Sequence, residues 1–588
     1  MKTTYFNQMK SIGRILFFML FFGMLWSCEE SLMEVPQSSL SPEIFYSTGK
    51  EAVASVNACY QSMKDNFIST DNGVNIYLDV LNDFNFVNVK QWDGFTTNSL
   101  SSNNGRVIDS WKRFYATIGA ANITIGRLEN TDIADEIKKR VIGEAKFLRA
   151  LNYFYVVQFW GPVPLKTTLP KEADDMNLVR SSIQEIYDVI ITDLQFAEEN
   201  CWNVGETRIV ETDSYTNDKG RATKGAAKAL LAKVYLKIAS TSSAAKRRTD
   251  APLVNVKTGQ VDGLEAYKSF DANKFYDLCI TKCNEVEALG YSLNAEFMKN
   301  FTTKNGVESL FEIQAFGQLG YGSRLAPVYC PPQSGLYGGT TGGQNGLTNT
   351  FMLKGPFKIF KIANYNYRPA VAGDPAKSIT NSPIDITDLR YKNGFIFGYT
   401  NRINNQIFNY DLGTGQYISN TNVKLPRFYT AKYIDKEGTI QDDNSNNWVL
   451  LRFADVLLMK AECLFEKGDL NASWDLIKRV HTRDGKQNKE AGNLFPETYA
   501  GWISYFSGAN DVEKFREAIM HERFIELVYE GHRFLDLCRM GKLEEKCAAV
   551  GRTKSRKSYY MPISQIEINA NMAISSADDN PGYETVAK

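Results

Sequence analysis

Apolar residues recur every three or four positions over much of the chain, which is the spacing of amphipathic α-helices. Ser182, with Glu185 three positions later, forms a capping-box sequence that predicts a helix start. A second helix is predicted to begin at Thr223. The apolar stripes of these two helices comprise Ile183, Ile186, Ile190, Leu194 and Ala197, and then Ala227, Leu230, Leu231, Val234 and Ile238. The pattern therefore predicts a mainly α protein.

The region after residue 450 predicts a pair of antiparallel helices. Arg452 to Lys467 reads as one helix that Gly468 ends, and Asn471 is the predicted N-cap of the next. The buried face of the second helix is predicted to carry Trp474, Ile477 and Val480. The small residues and the turn resemble part of a tetratricopeptide repeat, but the pattern does not recur at a strict period of about 34 residues. We therefore expect a scaffold of tetratricopeptide-like helix pairs and not a pure solenoid.

The helical period fails between about residues 317 and 447, where Gly, Asn, Pro and Tyr dominate. Turns and short strands are expected in this insert, including a hairpin near Phe395–Tyr399. A second irregular stretch runs from Asn66 to Asn104. Long irregular segments within a folded domain commonly carry function, so both stretches are candidate binding regions.

The first 28 residues read as an export signal. Lys2, Lys10 and Arg14 precede the apolar run Ile15–Trp26, which is shorter than the ~20 residues of a membrane-spanning helix. The run ends in a sequence that resembles a bacterial lipobox, with Cys28 as the lipidated residue. The alternative is an ordinary secretory signal cleaved nearby. We expect a lipoprotein signal peptide over 1–27, a lipidated N-terminus and tether over 28–50, and one domain over 51–588.

Composition and charge exclude several classes of function. The chain has 67 Lys and Arg residues against 67 Asp and Glu residues, so no net charge attracts nucleic acid or anionic lipid. The 588 residues are 43% hydrophobic and 23% charged, which is ordinary for a globular protein. Aromatic residues make up 12% of the chain, more than the core is expected to need. A binding protein for a neutral ligand fits these figures.

Two groups of residues are candidates for metal binding or catalysis. The pair Cys279 and Cys283 lies at helical spacing, but no His accompanies it, so two buried cysteines are favoured over a metal site. Glu522, Glu526 and Glu530 lie on one face of a predicted charged helix that continues to Arg539. Pairing of these acids with Arg523, Arg533 and Arg539 is expected, which favours a structural ion-pair network over a glycosidase pair. No catalytic residue, metal or cofactor is expected.

Five segments together resemble the SusD/RagB family of outer-membrane nutrient-binding lipoproteins. They are Glu144–Leu165, Gly220–Ala226, Leu451–Glu462, Glu522–Arg533 and Met561–Tyr583. The resemblance implies a right-handed scaffold of tetratricopeptide-like helix pairs, with an irregular insert that carries the ligand site and no catalytic activity. It also implies a TonB-dependent, SusC-like outer-membrane transporter as partner, and a lipid-anchored position at the cell exterior.

The ligand residues must be chosen on chemical grounds, because no family motif carries them over. A neutral sugar binds to flat aromatic rings beside polar side chains. Such groups occur in both irregular stretches. The candidate ligand-binding residues are Trp92, Asp93, Asn98, Tyr321, Arg324, Tyr329 and Tyr337.

Four functions fit the sequence to different degrees. The favoured one is a non-catalytic glycan-binding lipoprotein that delivers oligosaccharides to the transporter. Capture of peptides by the same architecture is the nearest alternative. A surface glycoside hydrolase using Glu522 and Glu526, and a helical scaffold that binds only protein, are the others.

Overall fold

The computed structural model describes most of the chain after residue 45. The described residues are 46–69, 73–84, 93–169, 176–331, 389–396, 398–400, 405–411, 416–425, 429–435, 442–483, 498–504 and 506–585. The predicted signal peptide, Cys28 and most of the predicted tether lie outside these ranges, as does much of the predicted insert.

Long helices form the scaffold, and each packs against the next long helix along the chain, from Gly49–Phe67 to Leu470–His481. In chain order the helices before the insert are α1 Gly49–Phe67, α2 Val74–Val80, α3 Asp93–Thr96, α4 Gly105–Leu128, α5 Asp135–Trp160, α6 Ile183–Asn200, α7 Lys224–Arg247, α8 Ala272–Glu287, α9 Lys299–Thr302 and α10 Leu325–Tyr329. The later helices are α11 Leu389–Gly394, α12 Phe453–Glu466, α13 Leu470–His481, α14 Tyr499–Ile503, α15 Asp511–Leu527, α16 Arg533–Arg539, α17 Leu543–Ala549 and α18 Gln565–Ala570. The mainly α prediction is confirmed.

The strands are short and lie in small antiparallel sheets. They are β1 Val163–Pro164, β2 Arg180–Ser181, β3 Thr207–Val210, β4 Asp213–Thr216, β5 Ser309–Ile313, β6 Phe395–Ile396, β7 Gly398–Thr400, β8 Ile407–Asp411, β9 Gln416–Ser419, β10 Lys424–Leu425, β11 Tyr429–Thr430 and β12 Trp448–Arg452. Strands β7 to β10 form a four-stranded meander, and β5 pairs with β12. The expected strands of the insert are therefore present, and the hairpin near residue 398 is β7–β8, while β6 pairs with β11.

The helix starts follow from capping chemistry. The Ser182 hydroxyl accepts a hydrogen bond from the Glu185 amide and the Glu185 carboxylate reaches back, which is the predicted capping box. The Thr223 hydroxyl accepts from the Ala226 amide at the start of α7. Both predicted helix starts are confirmed.

Two details of the predicted helices are wrong. Asp469, and not Asn471, caps α13, because its side chain accepts from the Ala472 amide at 3.1 Å. The charged helix predicted through Arg539 ends at Leu527, because Tyr529 and Gly531 adopt positive φ values of 62° and 81°. Glu530 therefore lies between α15 and α16, not on one helix face with Glu522.

One hydrophobic core runs through the scaffold, from Ala52 in α1 to Ile563 near the C-terminus. The cysteines of the described residues are all buried and free, which confirms the prediction for Cys279 and Cys283. Within the described ranges, none of the helices has both the length and the apolar character needed to cross a bilayer.

Candidate functional site

Two aromatic side chains reach solvent in a single loop at the start of the insert. Phe316 is 65% exposed and Tyr321 is 58% exposed, and Leu319 between them is 78% exposed. Among the side chains that the structure describes, Phe316 and Tyr321 are the only aromatic ones exposed to this degree. We call residues 316–321 the aromatic loop. Exposing three large apolar side chains together has a solvation cost, which favours a role in binding.

The aromatic loop is closed by its own backbone. The Phe316 amide donates to the Tyr321 carbonyl at 2.9 Å, and the Tyr321 amide donates to the Gln318 carbonyl at 2.9 Å. Gly320 supplies the left-handed conformation that the turn needs, with φ of 81°. The loop is therefore a hydrogen-bonded turn with a defined backbone conformation.

Asp443 fixes the loop from the far end of the insert. Its Oδ1 accepts hydrogen bonds from the amides of Gly320 and Gly322, both at 3.0 Å. A Cβ atom on Gly322 would lie 2.2 Å from the Asp443 backbone, so only glycine fits this approach. The two ends of the insert thus meet under the exposed rings.

Two lysines support the base of the loop. Lys64, from α1, donates to the Gly320 carbonyl at 3.2 Å. Lys304 donates to the Ala315 carbonyl at 2.8 Å and lies 5.7 Å from the centre of the Phe316 ring. Burial lowers the pKa of both lysines. The exposed rings therefore stand on a partly desolvated, hydrogen-bonded base.

Arg324 follows the loop and contributes a polar flank. Its guanidinium pairs with Asp442 at 3.1 Å, and its amide donates to the Ile68 carbonyl at 2.8 Å. Tyr321 and Arg324 are three residues apart in the same short segment. Together with Asp442 they place hydrogen-bonding groups beside an aromatic surface.

Tyr329 does not share this exposed surface. Its ring is 1% exposed and packs against Tyr433 and Tyr529, and its hydroxyl donates to Asp79 of α2 at 2.5 Å. In this conformation the ring is closed to ligand. The prediction of direct ligand contact is therefore wrong for Tyr329, because its apolar neighbours and the Asp79 carboxylate place it in the core.

The candidates of the first irregular stretch fall in a different position. Asn98 is half-buried, its Nδ2 donates to the Ser555 hydroxyl at 3.1 Å, and its Oδ1 accepts from the Ser558 hydroxyl at 2.6 Å. Asp93 begins α3, and its side chain lies outside the described part of the structure, as do Trp92 and Tyr337. The side-chain amide of Asn98 thus forms hydrogen bonds with the C-terminal segment.

Helix α2 connects the two irregular stretches. Its Tyr77 packs edge-to-face on Phe95, with ring centres 5.4 Å apart, while its Asp79 binds Tyr329. The first stretch is therefore partly helical, and Tyr77 is fully buried. Phe95 of the first stretch and Tyr329 of the insert therefore both contact α2.

The carboxylates considered for hydrolysis are buried in ion pairs. Arg390 binds Glu522 at 2.6 Å and Glu526 at 2.9 Å, and Arg452 binds Glu526 at 2.7 Å. Burial alone would raise the pKa of Glu522, but Arg390 and His481 outweigh it and lower the pKa to about 2. A carboxylate that stays ionised and closed to solvent cannot protonate a glycosidic oxygen. The predicted ion-pair network is confirmed, but the expected partners Arg523, Arg533 and Arg539 are wrong. These arginines bind other carboxylates, and Arg390, Arg452 and Arg483 bind Glu522 and Glu526 instead.

Metal binding finds no support in the described ranges, where no group of three or more His, Cys, Asp or Glu side chains is arranged to hold an ion. Phe316, Leu319 and Asp443 were not predicted from the sequence as site residues. Phe316 and Leu319 fall at the edge of the glycine-rich segment, where the helical period fails. That position was the only sequence feature that could have indicated a role in binding. Asp443 lies far along the chain, so no sequence feature predicted its hydrogen bonds to the loop.

Comparison with known proteins agrees with this architecture. The model of the SusD family matches residues 267–583, and a model described as "Starch-binding associating with outer membrane" matches residues 35–236. SusD-like protein P25 of Formosa agariphila is 23% identical over 98% of this chain and 100% of its own length. SusD-like protein P38 of the same organism is 25% identical, over 94% of this chain and 95% of its own.

Solved structures show the same fold. A structure titled "Laminarin binding SusD-like protein" has a TM-score of 0.62 at 20% identity, covering 92% of this chain and 100% of its own. A SusD homologue from Bacteroides thetaiotaomicron has a TM-score of 0.65 at 18% identity, covering 92% of this chain and 98% of its own. The helical scaffold and the family model that spans more than half of the sequence lead to one conclusion: the chain belongs to the SusD family.

Proposed function

We propose that this protein is a non-catalytic glycan-binding lipoprotein that captures oligosaccharides at the cell surface and delivers them to a TonB-dependent outer-membrane transporter. The observation that carries the proposal is the aromatic loop, in which Phe316 and Tyr321 are exposed five residues apart and Asp443 fixes the turn through the Gly320 amide. Aromatic faces bind the C–H faces of sugars, and a fixed loop loses little conformational entropy on binding.

The ligand contacts proposed here are Tyr321 and Arg324 from the sequence, joined by Phe316 and Leu319. Trp92, Asp93 and Tyr337 remain proposed contacts from the segments next to them. The name of the laminarin-binding structure and the starch-binding description of the second family model support a glycan over a peptide. A neutral chain with paired surface charges is consistent with a neutral ligand.

Affinity electrophoresis and calorimetry across a panel of polysaccharides, including laminarin and starch, and a matched panel of peptides test the ligand class. We expect Tyr321→Ala to weaken glycan binding by about tenfold, since one aromatic contact contributes roughly 0.5–1.5 kcal/mol beyond its buried area. Ile209→Ala is the control, because Ile209 is 76% exposed on β3, outside the loop. Binding confined to peptides would favour the peptide-capture alternative and reject the glycan.

The remaining parts of the proposal have their own readouts. Prolonged incubation with a bound glycan is expected to leave it intact, whereas product release that Glu526→Gln abolishes would favour the hydrolase.

Cys28→Ser is expected to release the protein from the outer membrane and to stop acyl labelling. Co-purification of a transporter in the absence of any saturable small ligand would instead favour a scaffold that binds only protein.

A further inference from the structure

A cavity lies within the helical scaffold, away from the aromatic loop. It has a volume of about 250 Å³, whereas one water needs only ~10–15 Å³. Helices α7, α8, α12 and α15 surround it, and the turn between α16 and α17 completes the wall. A space of this size between four helices has room for a small organic molecule, and not for a polysaccharide chain.

The wall of the cavity is apolar on one side. Tyr276, Phe465 and Met520 line it and are 2%, 6% and 4% exposed. The Phe465 ring stacks on Phe515 with centres 4.1 Å apart, and the Tyr276 hydroxyl donates to Ser243 at 3.2 Å. These rings are held in position by their neighbours, so they offer a fixed apolar surface.

Most charged side chains of the wall already have partners. Arg516 binds Glu466 and Glu513, both at 2.8 Å. Arg248 binds Glu544 at 2.8 Å, and Lys542 binds Glu517 at 3.0 Å. Glu462 binds Arg539. These groups neutralise one another and need no ligand.

Arg247 is the exception. It lies in the last turn of α7, exposed at the mouth of the cavity, and its side chain makes no ion pair or hydrogen bond with any residue in the described ranges. Partial burial and the neighbouring Arg516 lower its pKa. The negative end of the helix dipole makes a cation tolerable there but uses none of its N–H donors.

We propose that this cavity binds a small molecule that carries one carboxylate on an apolar body. The carboxylate pairs with the Arg247 guanidinium, whose planar fork suits two parallel hydrogen bonds, and the body lies against Tyr276, Phe465 and Met520. The site is separate from the aromatic loop and does not depend on the proposed glycan function.

Phenylacetate and phenylacetamide are the probes, because they share an apolar body and differ in the charge of the head group. Calorimetry on the purified protein is expected to show saturable binding of phenylacetate with a Kd below ~1 mM and at least tenfold weaker binding of the amide. Equal binding of the two probes, or no saturable binding of phenylacetate, would overturn the proposal.

Arg247→Gln tests the residue, and Lys246→Gln is the matched control from the same turn. The Lys246 ammonium donates to the Phe270 carbonyl, and Lys246 is not among the residues that line the cavity. We expect Arg247→Gln to weaken phenylacetate binding by about tenfold or more at unchanged Tm, while Lys246→Gln binds normally.

Crystals soaked in 4-bromophenylacetate locate the site. The anomalous bromine signal is expected beside Tyr276 and Phe465, and a signal only elsewhere contradicts the assignment. Glycan binding measured on Arg247→Gln should be unchanged, and phenylacetate binding should survive Tyr321→Ala. Failure of one proposal is thereby distinguished from failure of the other.

Discussion

Two buried carboxylates, Asp79 and Glu522, have pKa values shifted in opposite directions. Burial raises the pKa of Asp79 to about 7, because one hydrogen bond from Tyr329 and the charge of Lys432 do not compensate for lost water. Burial acts in the same direction on Glu522, but Arg390 and His481 outweigh it and hold the pKa at about 2. Ion pairing, and not depth, decides which buried acid stays ionised.

Asp79→Asn is expected to stabilise the protein at pH 8 and to leave its stability unchanged near pH 4. In the wild type the folded-state pKa is raised, so the stability contribution of Asp79 is fully present below about pH 4 and is lost as the pH rises to about 7. Asparagine stays neutral and still accepts the Tyr329 hydrogen bond, so it avoids that loss. Urea denaturation across this pH range measures the difference, at about 1.4 kcal/mol per unit of pKa shift.

Asp188→Asn is the control for this measurement. Asp188 is exposed on α6 and accepts a hydrogen bond only from Gln184, four residues before it, so its substitution should change stability little at any pH. A gain from Asp79→Asn that does not vary between pH 4 and pH 8 would contradict the raised pKa.

At the scale of single residues, the sequence indicates which side chains suit ligand binding but not whether each one is exposed or buried. Tyr321 and Tyr329 occur eight residues apart in similar surroundings, yet one is exposed and the other is in the core. The difference depends on Asp79 and on Tyr433 and Tyr529, which are distant in the chain. No local pattern contains that information.

At the scale of elements, the end of α5 depends on a close approach that only glycine permits. Gly161 follows Trp160 with φ of 65°, and a Cβ atom there would lie 2.5 Å from the Tyr560 ring. Tyr560 belongs to the C-terminal segment and is 4% exposed. The glycine therefore ends a helix and makes room for the segment that packs on it.

Gly161→Ala is expected to destabilise the protein more than Gly205→Ala does. Gly205 has a similar φ of 71°, but nothing lies within 4 Å of the position its Cβ would take. Its substitution should cost only the left-handed strain of about 1–2 kcal/mol, whereas Gly161→Ala adds roughly 1–3 kcal/mol of overpacking. Equilibrium urea denaturation of both variants measures the difference, and equal losses would show that Tyr560 moves aside freely.

Helices whose ends are set by local chemistry were predictable. The capping box at Ser182 and the helix start at Thr223 were both correctly predicted. The break after Leu527 was not, because Tyr529 occupies a conformation with φ of 62° that its type rarely adopts. Ring contacts with Phe84, Tyr329 and Phe395 keep Tyr529 in this conformation. Its carbonyl also accepts a hydrogen bond from the Tyr433 hydroxyl at 2.6 Å.

At the scale of the molecule, buried ion pairs connect segments that are far apart in the chain. Arg452 binds Glu308 at 2.8 Å, Glu526 at 2.7 Å and Glu530 at 2.7 Å. The fold class and the ionic role of these acids were predictable, because charges interleaved with apolar residues on a buried helix must be paired. Which partner each acid takes was not, since Arg390 and Glu308 lie in segments without a helical pattern.

The two family models divide the chain near residue 250, but the packing does not divide there. Helix α7 spans residues 224–247 and packs on both α6 before the gap and α8 and α12 after it. Lys233 of α7 binds Asp455 at 2.9 Å, and Arg533 near the C-terminus binds Asp83 in the first half. Removing either half would leave an apolar helix face and these buried charges without partners, which costs several kcal/mol for each pair.

We therefore expect the described domain to unfold in a single cooperative transition. Scanning calorimetry should give one peak whose calorimetric and van't Hoff enthalpies agree, despite a length at which separate domains commonly unfold apart. Lys233→Met should lower the temperature of the whole peak, because Asp455 loses one of its cations while the core stays continuous. Two resolved peaks, with only one shifted by Lys233→Met, would mean that each half holds a core of its own and that α7 belongs to one of them.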